Sequence, residues 1–129
     1  MFFYFFTDES KGTDKIFYNA ESVLRALGAN GRLVGFRYML YMLERINEDP
    51  DMLLLLTKRL YPETAKHFGV SYKSVERNAR TFIHHCWNSS EARTWEQIAG
   101  KTMVSAPTNA EFLDIVAAYL RNLDRSTVC

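Results

Sequence analysis

Residues 57–80 read TKRLYPETAKHFGVSYKSVERNAR, which is two helical segments joined by a three-residue turn. Pro62 suits the first turn of a helix, where its missing N–H costs nothing. Gly69 suits the left-handed residue that closes a helix, and Ser71 can cap the helix that follows. The pattern therefore predicts a helix-turn-helix from about Leu60 to Trp87.

Two further residues support this motif. Ala65 is small at the place where the two helices would cross, and Val75 is placed as an interior anchor of the second helix. The second helix, about 72–87, has two faces at helical spacing. Its apolar face comprises Val75, Ala79, Phe82, Ile83 and Cys86. Its basic face comprises Lys73, Arg77, Arg80 and His84.

A basic face of this kind predicts contacts with DNA, because the N-terminal part of a recognition helix reaches base edges in the major groove. The residues expected to contact bases are Lys73, Ser74, Glu76 and Arg77. Arginine can bind both acceptors of guanine, and glutamate can accept from the amino group of cytosine. The residues expected from their charge to hold phosphates are Lys58, Arg59, Lys66 and Arg80.

The distribution of charge favours this interpretation over an ordinary helical hairpin with a solvated charged face. Residues 57–80 contain six basic and two acidic residues, a local charge of +4. The rest of the chain has ten basic and 13 acidic residues, or −3, so the net charge of +1 hides a concentrated basic segment. Such a segment is the electrostatic signature of a surface that binds a polyanion.

The remaining sequence predicts one all-α domain, a compact bundle of about six helices. Residues 1–14 are expected to form an aromatic and polar N-terminal arm, and residues 15–129 the helix-turn-helix domain. Apolar spacing predicts helices over 16–27 and 32–47, and Asp51 is expected to cap a short buried helix over 52–56. Capping boxes at Thr94/Gln97 and Thr108/Glu111 predict two more helices.

Composition excludes several classes of protein. The chain has 129 residues, of which 47% are hydrophobic and 24% charged, as expected of one globular domain. The aromatic run over residues 1–6 is far shorter than the roughly 20 apolar residues that span a bilayer. Only two cysteines are present, Cys86 and Cys129, and they form no paired motif. We therefore expect a cytoplasmic protein with reduced thiols and no membrane association.

Catalytic and metal sites are not indicated. Adjacent histidines such as His84 and His85 point about 100° apart on a helix, and no second cluster supplies the spacing of structural zinc. Cys86 lies on the apolar face, where a thiol is not activated as a nucleophile. Trp87 and Trp95 are expected in the core. No metal, no cofactor and no enzyme activity are therefore predicted.

The sequence also resembles a known family. The motifs LYPxxAKxF (60–68), VER (75–77) and PTNxEF (107–112) occur in the order and spacing of one domain. That domain is the C-terminal DNA-binding effector domain of the sporulation-initiation response regulator of endospore-forming Firmicutes, the stage 0 sporulation transcription factor. The resemblance covers about residues 15–123. It implies a six-helix bundle around a helix-turn-helix that regulates sporulation genes by binding a short promoter box in double-stranded DNA.

The resemblance also implies roles for particular residues. Glu76, Arg77 and Arg80 match DNA-contacting positions of the family, and Lys73 and Ser74 match two more by place. The family usually has an arginine where this chain has Ser74. It has a small apolar residue where this chain has Asn78, so the base preference and the packing of the recognition helix are expected to differ.

Partners and regulation follow from the same resemblance. Family members often bind as tandem copies and contact the primary sigma factor of RNA polymerase, and residues 92–106 align loosely with the contacting region. The family's full-length form begins with a phosphoacceptor receiver domain, for which the residues before the first helix are too few. The sequence is therefore expected to be a fragment or an orphan effector domain. The alternative function is a helical protein-docking module that binds another regulator or RNA polymerase without binding DNA itself.

Overall fold

The computed structural model describes residues 19–128, with side chains as far as Leu123. Within these residues the fold is all-α and has no strand, as the sequence predicts. The arm predicted over residues 1–14 lies outside the described part of the chain. The six α-helices are α1 (Ala20–Ala26), α2 (Val34–Glu48), α3 (Tyr61–Phe68), α4 (Tyr72–Ser89), α5 (Ala92–Ala99) and α6 (Asn109–Val128).

One hydrophobic core joins all six helices, and α2 packs against α1, α3, α4 and α6. Its aromatic centre lies where α4, α5 and α6 meet. The Phe112 ring lies 6.2 Å from that of Phe82 and 5.9 Å from that of Trp95. Trp95 is almost completely buried, its indole N–H donates to the Ser90 hydroxyl at 2.7 Å, and the half-buried Trp87 ring packs on it. Both tryptophans are therefore structural, as expected.

The first helix begins later than the sequence predicts. A helix was expected from Ile16, but α1 begins at Ala20 and residues 16–18 lie outside the described residues. The reason is a local capping box. The Asn19 side chain accepts from the Ser22 backbone N–H at 2.8 Å, and the Asn19 N–H donates to the Ser22 hydroxyl at 3.1 Å. The second predicted helix likewise begins two residues late, at Val34.

The short buried helix predicted over 52–56 is wrong in type and in burial. A 3₁₀ helix spans Pro50–Leu55, capped by Asp49 rather than Asp51, and a π-helical turn spans Leu56–Leu60 before α3. In a 3₁₀ helix, residues three apart lie on one face. Leu54 therefore shares the outer face with the exposed Asp51 and is 82% exposed, whereas Met52 is fully buried.

One of the two predicted capping boxes forms. Thr94 and Gln97 lie inside α5, which begins at Ala92 after Glu91, so that prediction is wrong. At α6 both expected bonds are present. The Glu111 N–H donates to the Thr108 hydroxyl at 3.1 Å, and the Thr108 N–H donates to the Glu111 carboxylate at 2.9 Å.

Candidate nucleic-acid interface

The turn between α3 and α4 has the conformation that the sequence predicts. Gly69 ends α3 in the left-handed region, with φ +69° and ψ +37°. The Val70 N–H then donates to the Ala65 carbonyl at 3.0 Å. Ser71 is extended and its hydroxyl accepts from the Ser74 N–H at 3.1 Å, which caps α4. Because a side chain at position 69 would be strained, glycine allows the second helix to start immediately after the first.

The inward face of α4 is fixed by packing. The five residues predicted for the apolar face are all buried, and each is at most 1% exposed: Val75, Ala79, Phe82, Ile83 and Cys86. Helix α2 crosses α4 closely at Gly35, where an added Cβ would lie 2.5 Å from the Asn78 carbonyl oxygen and 2.8 Å from the Phe82 Cβ. This close approach fixes the rotation of α4 about its axis.

The opposite face of α4 is exposed and basic. Lys73, Arg77, Arg80 and His84 are all exposed, as their spacing predicts. Among the described residues, no hydrogen bond or ion pair involves the side chain of Lys73 or Arg77. Arg80 lies 3.9 Å from the Glu76 carboxylate, and because both side chains are about half exposed this ion pair is weak. Two cations at the start of α4 are therefore available to an external anion.

The other two predicted base-contacting residues, Ser74 and Glu76, are half-buried. The Ser74 hydroxyl and carbonyl both accept from the Asn78 side-chain amide, at 3.2 Å and 2.8 Å. The Glu76 carboxylate is the one beside Arg80, and its backbone carbonyl accepts from Asn109. The structure therefore brings all four predicted residues onto the first turns of α4, but only Lys73 and Arg77 project freely.

The predicted phosphate-contacting residues fall into two groups. Lys58 and Lys66 are exposed, and within the described part of the chain neither side chain forms an ion pair or hydrogen bond. Arg59 donates to the Glu63 carboxylate at 3.1 Å, and Arg45 donates to the same carboxylate at 3.3 Å. Arg59 is therefore already paired with a carboxylate of the same chain, as Arg80 is. Each arginine would have to leave that carboxylate in order to bind a phosphate.

Asn109 is a residue of this region that the sequence interpretation missed. It is the first residue of α6, and its side-chain amide donates to the Tyr61 hydroxyl at 3.1 Å and to the Glu76 carbonyl at 3.2 Å. Tyr61 begins α3 and Glu76 lies in α4, so one side chain joins both helices of the motif. The PTNAEF motif contains this residue, but no local pattern indicates a contact with residues 33 and 48 positions away.

The comparison with known protein families adds to this geometry. Residues 20–120 match the family model described as "Sporulation initiation factor Spo0A C terminal". The chain belongs to this family. The match covers most of the chain and confirms both the family expected from the LYPxxAKxF, VER and PTNxEF motifs and the six-helix fold. The family is one of DNA-binding effector domains of sporulation initiation, which are transcription factors and are not known as enzymes.

In the described part of this Spo0A C-terminal family member, the remaining histidine, cysteine and acidic side chains form neither a metal site nor a reactive thiol. Within residues 19–128, no group of three or more His, Cys, Asp and Glu residues is arranged to hold a metal ion. Burial raises the pKa of the Cys86 thiol to about 12, so it stays protonated at neutral pH. His85 lies 3.2 Å from the Gly28 carbonyl, to which a ring N–H donates. None of the described helices is long and apolar enough to span a bilayer.

Proposed function

We propose that this domain binds double-stranded DNA in a sequence-specific manner, with α4 in the major groove. The observation that carries the proposal is the contrast on α4 between a locked inward face and two exposed cations, Lys73 and Arg77, that have no partner among the described residues. Charged donors held rigidly at the start of a recognition helix can reach base edges without first breaking an internal ion pair.

Roles for individual residues follow from their availability. Lys73 and Arg77 contact base edges directly, and Ser74 and Glu76 contribute contacts from half-buried positions beside them. Lys58 and Lys66 bind phosphates through unpaired ammonium groups. Arg59 and Arg80 contribute less, because each gives up a carboxylate, Glu63 or Glu76, when it binds a phosphate.

The test is selection from a duplex library with a randomised central segment, followed by titration of the selected and the random duplex at several salt concentrations. We expect a defined selected sequence and an affinity that falls steeply with salt, because phosphate neutralisation releases counterions. Failure to select any sequence, with weak binding that is insensitive to salt, would contradict the proposal. That result would favour the alternative, a module that docks onto another protein.

We further propose, from the family resemblance, that the domain contacts a sigma factor and binds DNA as tandem copies. Residues 92–106 lie outside the helix-turn-helix and include Val104, an aliphatic side chain that is 91% exposed. A single exposed aliphatic side chain is common on protein surfaces, so the proposed sigma-factor contact rests on the alignment of this segment with the family's contacting region, and Val104 is an accessible position at which to test it. Substitution of Val104 by Ser should reduce co-purification with the primary sigma factor while leaving DNA affinity unchanged.

A further inference from the structure

A polar pair on the first turns of α4 is not explained by packing or by charge. Ser74 and Asn78 lie one helical turn apart, and both are half-buried. The terminal atom of the Asn78 side chain lies 2.8 Å from the Ser74 carbonyl oxygen and 3.2 Å from the Ser74 hydroxyl oxygen. Ser74 directly follows the exposed cation Lys73, and Asn78 directly follows the exposed cation Arg77, on the part of the helix that is expected to read bases.

The orientation of the amide follows from chemistry. A backbone carbonyl oxygen can only accept, so the Asn78 atom that faces it must be the NH₂ nitrogen and not the side-chain oxygen. That nitrogen carries two hydrogens, one for the Ser74 carbonyl and one for the Ser74 hydroxyl oxygen. The Ser74 hydroxyl is therefore an acceptor toward Asn78.

The hydroxyl hydrogen of Ser74 is then directed elsewhere. A serine inside a helix commonly donates it to the carbonyl four residues earlier. Ser74 is only the third residue of α4, so the residue four before it, Val70, precedes the Ser71 cap and is outside the helix. Over the described residues, no protein acceptor takes this hydrogen. Ser74 thus keeps an O–H donor for a partner outside the domain.

We propose that Asn78 positions the Ser74 hydroxyl as a hydrogen-bond donor to a base acceptor in the major groove, so that the two residues form one specificity-determining unit. The acceptors that a single donor can use are N7 or O6 of guanine, N7 of adenine and O4 of thymine, whereas cytosine presents only an amino donor. Acting as a donor, the unit favours guanine, adenine or thymine over cytosine at one base position. The amino group of cytosine can be bound only through the second lone pair of the Ser74 oxygen, with the hydroxyl hydrogen turned away from the base. This inference rests on the proposed DNA-binding function.

The experiment uses the duplex selected by the wild-type domain, with each base pair replaced in turn by the other three, and measures affinity by fluorescence anisotropy. Ser74→Ala should reduce the discrimination against cytosine at one position by about 3- to 10-fold, the loss expected for one hydrogen bond. Asn78→Ala should reduce it at the same position. The double variant Ser74→Ala/Asn78→Ala should lose no more base discrimination than Ser74→Ala alone, because the two residues act as a unit.

Asn78→Asp gives the sharper test. Carboxylate oxygens only accept, so the Ser74 hydroxyl would donate inward and present only a lone pair to the DNA. The preference at that position should shift toward bases with an amino donor, cytosine or adenine, while overall affinity falls because a negative charge is added. The matched controls are Asn88→Asp and Asn88→Ala, which make the same substitutions as at Asn78 but at an exposed position near the other end of α4.

The outcomes separate this inference from the proposed function. Ser74→Ala could reduce base discrimination at one base pair while Asn78→Ala leaves it unchanged. The positioning role of Asn78 would then be wrong, although the proposed DNA binding would stand. No change at any position with Ser74→Ala would contradict the inference in the same way. If the wild-type domain selects no sequence, the proposed function fails and the inference fails with it. Thermal unfolding verifies that each variant folds. The part of Asn78 closest to Gly35 is its backbone carbonyl, which every substitution retains.

Discussion

The two faces of α4 differ in what holds their side chains. The inward face is buried against α2, α3 and α6, and its position is fixed by the close crossing at Gly35. The outward face carries Lys73 and Arg77, for which no partner exists among residues 19–128. Under the proposed function, this difference predicts that stability and DNA recognition are separable in one helix. Changes on the inward face should alter unfolding, and changes on the outward face should alter binding.

The largest effect is expected at the crossing of α2 and α4. Gly35→Ala forces the α4 backbone to move, because the new Cβ would lie 2.5 Å from the Asn78 carbonyl oxygen. Overpacking of this kind costs about 1–3 kcal/mol in the free energy of unfolding. Urea denaturation measures the change.

Gly31→Ala is the matched control, since a Cβ at Gly31 would meet nothing within 4 Å. This variant should be neutral or slightly stabilising, because alanine restricts the unfolded chain. Equal stabilities for the two variants would mean that the inward face tolerates movement of α4. The claim that the inward face of α4 determines stability would then be contradicted.

A smaller effect is expected where α6 joins the two helices of the motif. Asn109→Ala removes hydrogen bonds to the Tyr61 hydroxyl and the Glu76 carbonyl. We expect a loss of about 1–2 kcal/mol in stability, the cost of leaving such partly buried groups without their partner. DNA affinity should fall while the preferred sequence is retained.

Asn122→Ala, an exposed position on the same helix, is the control for this variant and should leave both stability and affinity unchanged. A changed sequence preference in Asn109→Ala would contradict the assignment of Asn109 to the support of α4. It would place Asn109 instead among the residues that contact bases.

The smallest effect distinguishes free from paired cations. Lys66→Ala should weaken binding to selected and random duplexes about equally and reduce the salt slope by about one unit. Arg59→Ala should reduce the slope by less, because Arg59 is already paired with Glu63 at 3.1 Å. The slopes come from affinity titrations between low and physiological salt. Equal slopes would mean that the internal ion pair has no influence on phosphate binding.

Features that depend on a few neighbouring residues were predictable from the sequence. Gly69, Ser71 and the Thr108/Glu111 box adopt the conformations expected of them, because a cap is formed within one turn of the chain. The two faces of α4 followed from periodicity alone. The predicted start of α5 was wrong because Thr94 and Gln97 have the spacing of a capping box but lie inside the helix, which begins at Ala92.

Contacts between distant segments were not predictable. No sequence pattern around Gly35 indicates that α4 packs so closely against it that a Cβ would not fit. Asn109 stands in a recognisable motif, yet its partners Tyr61 and Glu76 are defined only by the assembled bundle. The prediction of a short buried helix over 52–56 was wrong for a related reason, since an apolar run has no periodicity from which a 3₁₀ or π-helical turn could be inferred.

The central claim is that the outward face of α4 reads base edges, and Arg77 tests it most directly. The measurement is the ratio of affinities for the selected and the random duplex at one fixed salt concentration, for the wild type, Arg77→Ala and the exposed control Arg121→Ala. We expect Arg77→Ala to lower this ratio by about 10- to 100-fold, the discrimination carried by one bidentate contact. Arg121→Ala should leave the ratio unchanged. An unchanged ratio for Arg77→Ala would contradict the account, because a residue that contacts only phosphates weakens both duplexes alike.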